Sequence, residues 1–267
     1  MTLITRRLII ASGAAGAGFS LAGCGKITGV DALNGSKSFQ HVLSAAEGWN
    51  LHSQRFVLSG GAMAREFKLS DLSPNFKSNG TRDPGGEEYD THVEESFANW
   101  RLQVNGMVAK PLSLSLADLR AQPSRTQITR HDCVEGWSAI GQWTGVQLGL
   151  LLQAAGVLPS ARYAVLLCAD NLDGEPSKGG MQVPGQYYES IDLTDARHPQ
   201  TLIAYAMNGK PLDVGHGAPL RLRVERQLGY KQAKYIHAIQ LVGSLKGIGD
   251  GNGGYWEDRG YEWYAGI

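Results

Sequence analysis

Alternation of apolar and polar residues marks the first regular element of the chain. Trp100-Arg-Leu-Gln-Val104 puts every second side chain on one face, as a half-buried strand does. Asn105-Gly106 is a hairpin-turn signal, alternation resumes from Leu112 to Leu116, and Ala117-Asp118-Leu119-Arg120 opens a short helix. From Val146 to Ala155 the apolar residues switch to helical spacing, with Gly156 and Pro159 as the stop. Strand-like runs follow at 163–168, 201–207, 219–224 and 235–242. Strands and short helices mix without regular βαβ alternation, which predicts an α+β fold with mixed or antiparallel sheets. Residues 24–75 hold Gly, Ser and Asn turns with short apolar pieces, so an extended lead-in with one helix near 40–47 is expected. One domain over 76–267 follows it, with no linker that divides it further.

The N-terminus changes this picture by removing residues 1–23 from the fold. Thr5-Arg6-Arg7 precedes an uncharged apolar run from Leu8 to Gly23, a signal-peptide pattern. The run is about 16 residues and rich in Gly, Ala and Ser, short of the roughly 20 that a membrane helix needs. The paired arginines suit twin-arginine export, which carries proteins already folded and so fits a chain that receives a cofactor first. Leu21-Ala22-Gly23-Cys24 resembles a lipoprotein cleavage box, so a periplasmic protein anchored through a lipid on Cys24 is expected; cleavage to a soluble periplasmic protein is the alternative. Charge is balanced at 25 basic and 25 acidic residues, with no basic stripe, which argues against a nucleic-acid partner. The 35 glycines follow no period, which excludes collagen-like and solenoid architectures.

Cys133 and Cys168 remain, and in an exported chain the two can pair as a disulfide. Their surroundings point apart. Cys168 closes the apolar run that starts at Tyr163, as in a buried strand. Cys133 lies in Arg130-His131-Asp132-Cys133-Val134-Glu135-Gly136-Trp137-Ser138, read as a polar stretch just before a helix. Cationic Arg130 and His131 would lower the thiol pKa and favour the metal-binding thiolate, whereas a lone cysteine is also commonly a small buried hydrophobe. Gly136-Trp137-Ser138-Ala139-Ile140-Gly141 misses the nucleophile-elbow spacing by one residue. His131 and Cys133 have no second pair at zinc spacing. Gly249 to Gly254 lacks the dinucleotide-loop spacing and reads as a flexible turn, and the aromatics Tyr255-Trp256 and Tyr261 to Tyr264 read as cover for an apolar face, with a role at the pocket mouth as the alternative.

Cys133-Val-Glu-Gly-Trp-Ser138 resembles the metal-ligand motif of the sulfite oxidase family of molybdopterin enzymes, and within it the catalytic subunits of bacterial periplasmic methionine-sulfoxide reductases. The likeness continues through Asn208-Gly-Lys-Pro-Leu212, His216-Gly-Ala-Pro-Leu-Arg-Leu222 and Leu228-Gly-Tyr-Lys-Gln-Ala-Lys234. It implies one molybdenum held by a pterin dithiolene and by the Cys133 sulfur, a soft ligand suited to the metal. It also implies cofactor contacts at Asn79, Cys168, His216, Arg221, Gln232, Ala233 and Lys234. His216 stands where the reductases have Asn. Arg221, Lys231 and Lys234 offer cations to a phosphorylated pterin tail.

Tyr187 falls where sulfite oxidases place an active-site tyrosine that donates a proton or hydrogen bond, and packing is its alternative role. Arg130 is the candidate for an anionic substrate. Only 21 residues follow Lys246, too few for the immunoglobulin-like dimerisation domain of some relatives, so a monomer is expected. The implied chemistry is two-electron oxygen-atom transfer, reductase-like on a small-molecule or protein-bound oxide. A sulfite oxidase-like reaction and a non-catalytic lipid-anchored binding protein on the same fold are the alternatives. With no C-x-x-C-H haem motif, electrons are expected from a separate cytochrome, soluble or in the membrane.

Overall fold

In the computed structural model, residues 37–58, 61–173 and 185–267 are described. The expected export signal and Cys24 lie outside them. The chain divides into two compact units, Met1–Trp49 and Asn50–Ile267. Of the first, only the start of helix α1 (Lys37–Leu58) is described, and every later element belongs to the second. The helix expected near 40–47 is this longer one, whose 22 residues contain one glycine and no proline to stop it.

Residues 61–75 do not form a free lead-in. Phe67 N–H donates to Ile128 O (2.8 Å) and Ser73 N–H to Ile140 O (3.0 Å), so the segment runs docked against the strands that carry the Cys133 turn. Those strands, β3 (Ser124–Asp132) and β4 (Ser138–Gln147), pair antiparallel from Ser124↔Val146 to Asp132↔Ser138. Cys133 therefore sits in a hairpin turn and not before a helix. The β4 pattern is concealed in the sequence because two of its inward positions are glycines. Gly141 lies under the Phe76 and Trp143 rings, and a Cβ at Gly145 would overlap the backbone of Ile203 and Ala204.

The remaining elements in order are α2 (Glu87–Glu94), β1 (Arg101–Gly106), β2 (Leu112–Ser115), α3 (Leu116–Ala121), α4 (Leu148–Ala155), β5 (Tyr163–Asn171), β6 (Gln186–Asp192), α5 (Leu193–Ala196), β7 (Leu202–Met207), β8 (Lys210–Pro211), β9 (Arg221–Arg223) and β10 (Ile236–Val242). One five-stranded sheet has the order β2-β1-β10-β5-β6, with β1 and β10 parallel and the other pairs antiparallel. The second runs β3-β4-β7-β8 with β9 also on β7, all antiparallel. This is the mixed α+β architecture expected, and among the described residues there is no immunoglobulin-like sandwich. The hairpin signal Asn105-Gly106 ends β1 and precedes the turn. Gly106, at φ 82°, lies where a Cβ would overlap the Leu241 backbone.

Both sheets share one core. Leu102 and Val104 of β1, Leu166 of β5, Ile203 of β7, Leu222 of β9 and Ile239 of β10 meet Leu148, Leu151, Leu152 and Ala155 of α4. These α4 positions follow the i, i+3, i+4, i+7 stripe, and Gly156 ends the helix in the left-handed conformation (φ 66°). Each fully buried leucine contributes about 1.5–3 kcal/mol, so this stripe fixes how the sheets face each other and where their loops converge.

Candidate active site

The Cys133 turn is clamped by its own motif. Gly136 N–H donates to Cys133 O (3.0 Å), Cys133 N–H to Trp137 O (2.9 Å), and Gly136 takes the left-handed φ of 83° that the reversal needs. The Trp137 indole donates to the Glu135 carboxylate (2.8 Å), which also meets Lys77 Nζ (3.3 Å). Ser138 Oγ donates to Asp132 (2.5 Å) and closes the strand ends. Cys133 is a free, half-buried thiol, and Cys168 is free too, so the disulfide alternative does not hold. Burial raises the Cys133 thiol pKa, against the lowering expected from cationic neighbours. Arg130 turns outward to Asp132 (2.9 Å). His131 is buried, and its pKa lies well below the usual value through desolvation and the nearby Arg223.

Cys133 opens on a cavity of about 200 Å³. Its floor consists of Asp170 at the end of β5 and the buried turn of Gly229, Tyr230, Gln232, Ala233 and Lys234. Asn79, Gly80 and Thr81 line one side and Tyr187 another, while Val134, Leu172, Trp256 and Tyr261 stand at the open edge. Gly229 is required here because a Cβ would fall 2.6 Å from the His131 ring. Gly217, at φ 105°, lies 2.9 Å from the Lys234 stem by the same measure and lets that side chain pass.

The polar groups around the floor are incompletely satisfied. Asn79 Oδ1, Asp170 Oδ1 and both Nε and Nη2 of Arg221 are buried without a hydrogen-bond partner. Arg221 is wholly buried, lies 4.8 Å from the Trp143 ring, and keeps one bond, to His216 O (3.1 Å). Desolvation lowers its pKa to about 9. The Lys234 amine bonds the carbonyls of Thr81 and Gly215 and has no carboxylate in ion-pair range among the described residues. Burial, then repulsion from Arg221, takes its pKa down to about 7. Asp170 is pushed up to about 6 by burial. Two under-compensated cations beside unpaired buried acceptors are what a polar, anionic ligand would satisfy.

Of the residues singled out in the sequence, the structure gathers Cys133, Asn79, Tyr187, Gln232, Ala233 and Lys234 around this cavity, with Arg221 close behind through Lys234. It does not bring in Arg130. Cys168 is fully buried in the shared core. His216 is held by Asp213 (2.8 Å) and the Phe76 carbonyl (3.0 Å) and serves the site through its main-chain bond to Arg221. The Tyr187 hydroxyl donates to Tyr230 O (2.5 Å), and burial holds its pKa well above the phenol range.

Lys231 offers no charge to a phosphate: it is enclosed by Glu189 and Glu257, each at 2.5 Å. Trp256 and Tyr261 line the cavity, the alternative to covering an apolar face. Thr81 and Tyr230 escape sequence reasoning as site residues because no local pattern distinguishes a pocket side chain from a core one.

Among the described residues no group of three or more His, Cys, Asp or Glu converges on a metal position. One cysteine sulfur beside unsatisfied polar atoms therefore suits a metal carried mainly by an organic cofactor. These features define a molybdopterin-dependent oxidoreductase. Residues 89–245 match the oxidoreductase molybdopterin binding domain, and the chain belongs to this sulfite oxidase family.

The chain is 34% identical over 247 residues to the putative protein-methionine-sulfoxide reductase subunit YedZ1 of Azospira oryzae, covering 92% of this chain and 84% of that protein. It is 38% identical over 144 residues to the protein-methionine-sulfoxide reductase catalytic subunit MsrP of Xanthomonas axonopodis pv. citri, 54% of this chain and 45% of that protein. The match thus spans less than half of that relative's length. The solved sulfane dehydrogenase SoxCD of Paracoccus pantotrophus is similar at 23% identity with a TM-score of 0.48, over 55% of this chain and 39% of that one.

Proposed function

We propose that the enzyme reduces organic sulfoxides, or related S- and N-oxides, by two-electron oxygen-atom transfer, with Cys133 as its one protein ligand to molybdenum. The observation that carries this reading is the charge of the cavity. No arginine lines it among the described residues, Arg130 is turned away, the carboxyl groups of Glu135 and Asp170 stand in the lining, and the one lining cation, Lys234, belongs to the floor assigned to the cofactor's anionic tail. A sulfite anion would find little compensation there, whereas a neutral oxide needs none. The names of the Azospira and Xanthomonas relatives favour the same direction.

When bound, the molybdenum cofactor with its single pterin dithiolene supplies the two-electron redox step. The protein holds and orients. Asn79, Gln232, Ala233 and Lys234 would hold the pterin, and Arg221 and Lys234 would compensate an anionic tail. Tyr187, kept protonated by burial, would wall the cavity with its hydroxyl given to Tyr230 O. In the net reaction the sulfur–oxygen bond breaks, sulfur gains two electrons, and the oxygen leaves with two protons as water. The electrons come from a separate donor, which we take to be a cytochrome.

Export with a lipid anchor on Cys24 belongs to the same proposal and rests on residues 5–24. No helix among the described residues is long and apolar enough to cross a membrane.

Protein made with its export signal tests the proposal. About one molybdenum per chain and reduction of methionine sulfoxide by an artificial electron donor are expected. Cys133→Ala should cost at least the roughly 10–100-fold that even outer partners of a metal site cost. Folded but metal-free protein, or sulfite oxidation outpacing sulfoxide reduction, would overturn it. Recovery of the protein in the soluble periplasmic fraction would remove the anchor alone.

A further inference from the structure

The floor of the cavity belongs to the segment shared with the family, but part of its edge does not. Trp256 and Tyr261 lie beyond residue 245, where the family match ends. Their rings are 5.3 Å apart and tilted by 32°, and Tyr261 meets Tyr230 edge-on at 5.2 Å. Val134, 46% exposed, and Leu172, 38% exposed, line the same cavity and add apolar surface to that of the two rings.

The segment carrying the two rings is fastened at several points. Glu257, next to Trp256, is buried against Lys231 (2.5 Å), and a Cβ at Gly254 would overlap its carboxylate. Tyr230 Oη donates to Glu262 O (2.6 Å), Tyr255 N–H to Tyr188 O (3.0 Å), and Tyr261 N–H to Trp256 O (3.0 Å). The Tyr188 hydroxyl holds Asp258 (2.5 Å). An aromatic wall held this firmly is already in its binding conformation and loses little entropy when a ligand packs on it.

We infer that Trp256 and Tyr261 are specificity-determining residues, forming an aromatic wall for the apolar substituents of an organic sulfoxide whose oxygen faces the Cys133 end of the cavity. The inference rests on the sulfoxide reduction proposed above and names its substrate class: oxides with an alkyl chain of methionine size or an aryl group. Aromatic rings gain contact and sulfur–aromatic attraction from such groups, and gain almost nothing from dimethyl sulfoxide or from an oxyanion.

The test uses metallated enzyme, Trp256→Ala, Tyr261→Ala and Trp256→Phe. With N-acetyl-methionine-sulfoxide amide, each alanine variant should lose about tenfold in kcat/KM, mainly through KM. With dimethyl sulfoxide the change should stay within about twofold, and Trp256→Phe should recover most of the loss. Binding of the corresponding sulfone, followed by titration calorimetry, provides a readout without turnover and should weaken in both alanine variants. Equal losses on both substrates would mark the rings as structural, and no loss would mark them as idle; either overturns the inference. A parent enzyme that reduces no sulfoxide refutes the proposed function instead, and sulfone binding then decides the wall on its own.

Discussion

Arg221 and Arg223 stand two residues apart on β9, both fully buried, both within 5 Å of the Trp143 ring at 4.8 and 4.3 Å, and they are treated in opposite ways. Arg223 gives two hydrogen bonds to Glu225 (2.9 and 2.6 Å) and one to His131 (3.0 Å), and Gln127 completes the Glu225 carboxylate at 2.9 Å. Its charge is neutralised inside the chain. Arg221 has one carbonyl and leaves two nitrogens without partners. A buried ion without compensation is costly, so a fold that completes one arginine and leaves its neighbour open has kept the second for something that binds. Burial alone does not separate a structural charge from a ligand-binding one. Completeness of pairing does.

The contrast is broken most directly at Arg223. Arg223→Leu leaves the Glu225 carboxylate buried without its counter-ion, and should destabilise the cofactor-free protein by roughly 3–5 kcal/mol in denaturant unfolding. Arg221→Leu removes an uncompensated cation, so the same measurement should show stability unchanged or raised by up to about 1–4 kcal/mol. In that variant the pterin and molybdenum retained after gel filtration should fall. Comparable destabilisation by both changes would mean that the two arginines do the same job.

A third test sharpens the comparison through pH. Desolvation disfavours the charged Lys234 amine, whose pKa falls from 10.5 to about 7. Its penalty is therefore complete below about pH 7 and is relieved as pH rises towards 10.5. Asp170 acts in the opposite sense: its pKa rises from 3.8 to about 6, so stability declines as pH climbs through that window. Cofactor-free protein should be least stable between about pH 6 and 7 and gain up to about 1.4 kcal/mol per pH unit on the alkaline side. Lys234→Met should abolish the alkaline rise, and the bound anionic cofactor should flatten it. A rise that survives in Lys234→Met would show that another group is responsible.

The sequence made legible what local spacing encodes. The stripe of α4, the alternation of β1 and the apolar runs of β5, β7 and β10 all lie where periodicity puts them, and the Cys133 motif points to the turn that faces the cavity. What it concealed depends on contacts between distant residues. The β3–β4 hairpin escapes periodicity because Gly141 and Gly145 occupy inward positions, where backbones approach too closely for a side chain. Lys231 looks like a phosphate ligand beside Lys234, yet its partners Glu189 and Glu257 are 42 and 26 residues away. Arg130 and His131 look like activators of the thiol. Strand alternation sends one outward to Asp132 and the other inward to Arg223, and burial then sets the thiol's protonation.

The place of β10 carries a consequence for biogenesis. This strand sits in the middle of its sheet, between β1 and β5, although residues 236–242 are among the last of the domain to be synthesised. Until they leave the ribosome, β1 and β5 have no common neighbour, and the turn at 229–234 that leads into β10 has nothing to close upon. The cavity therefore cannot close before residues 229–242 have emerged, which places insertion of any prosthetic group after their synthesis.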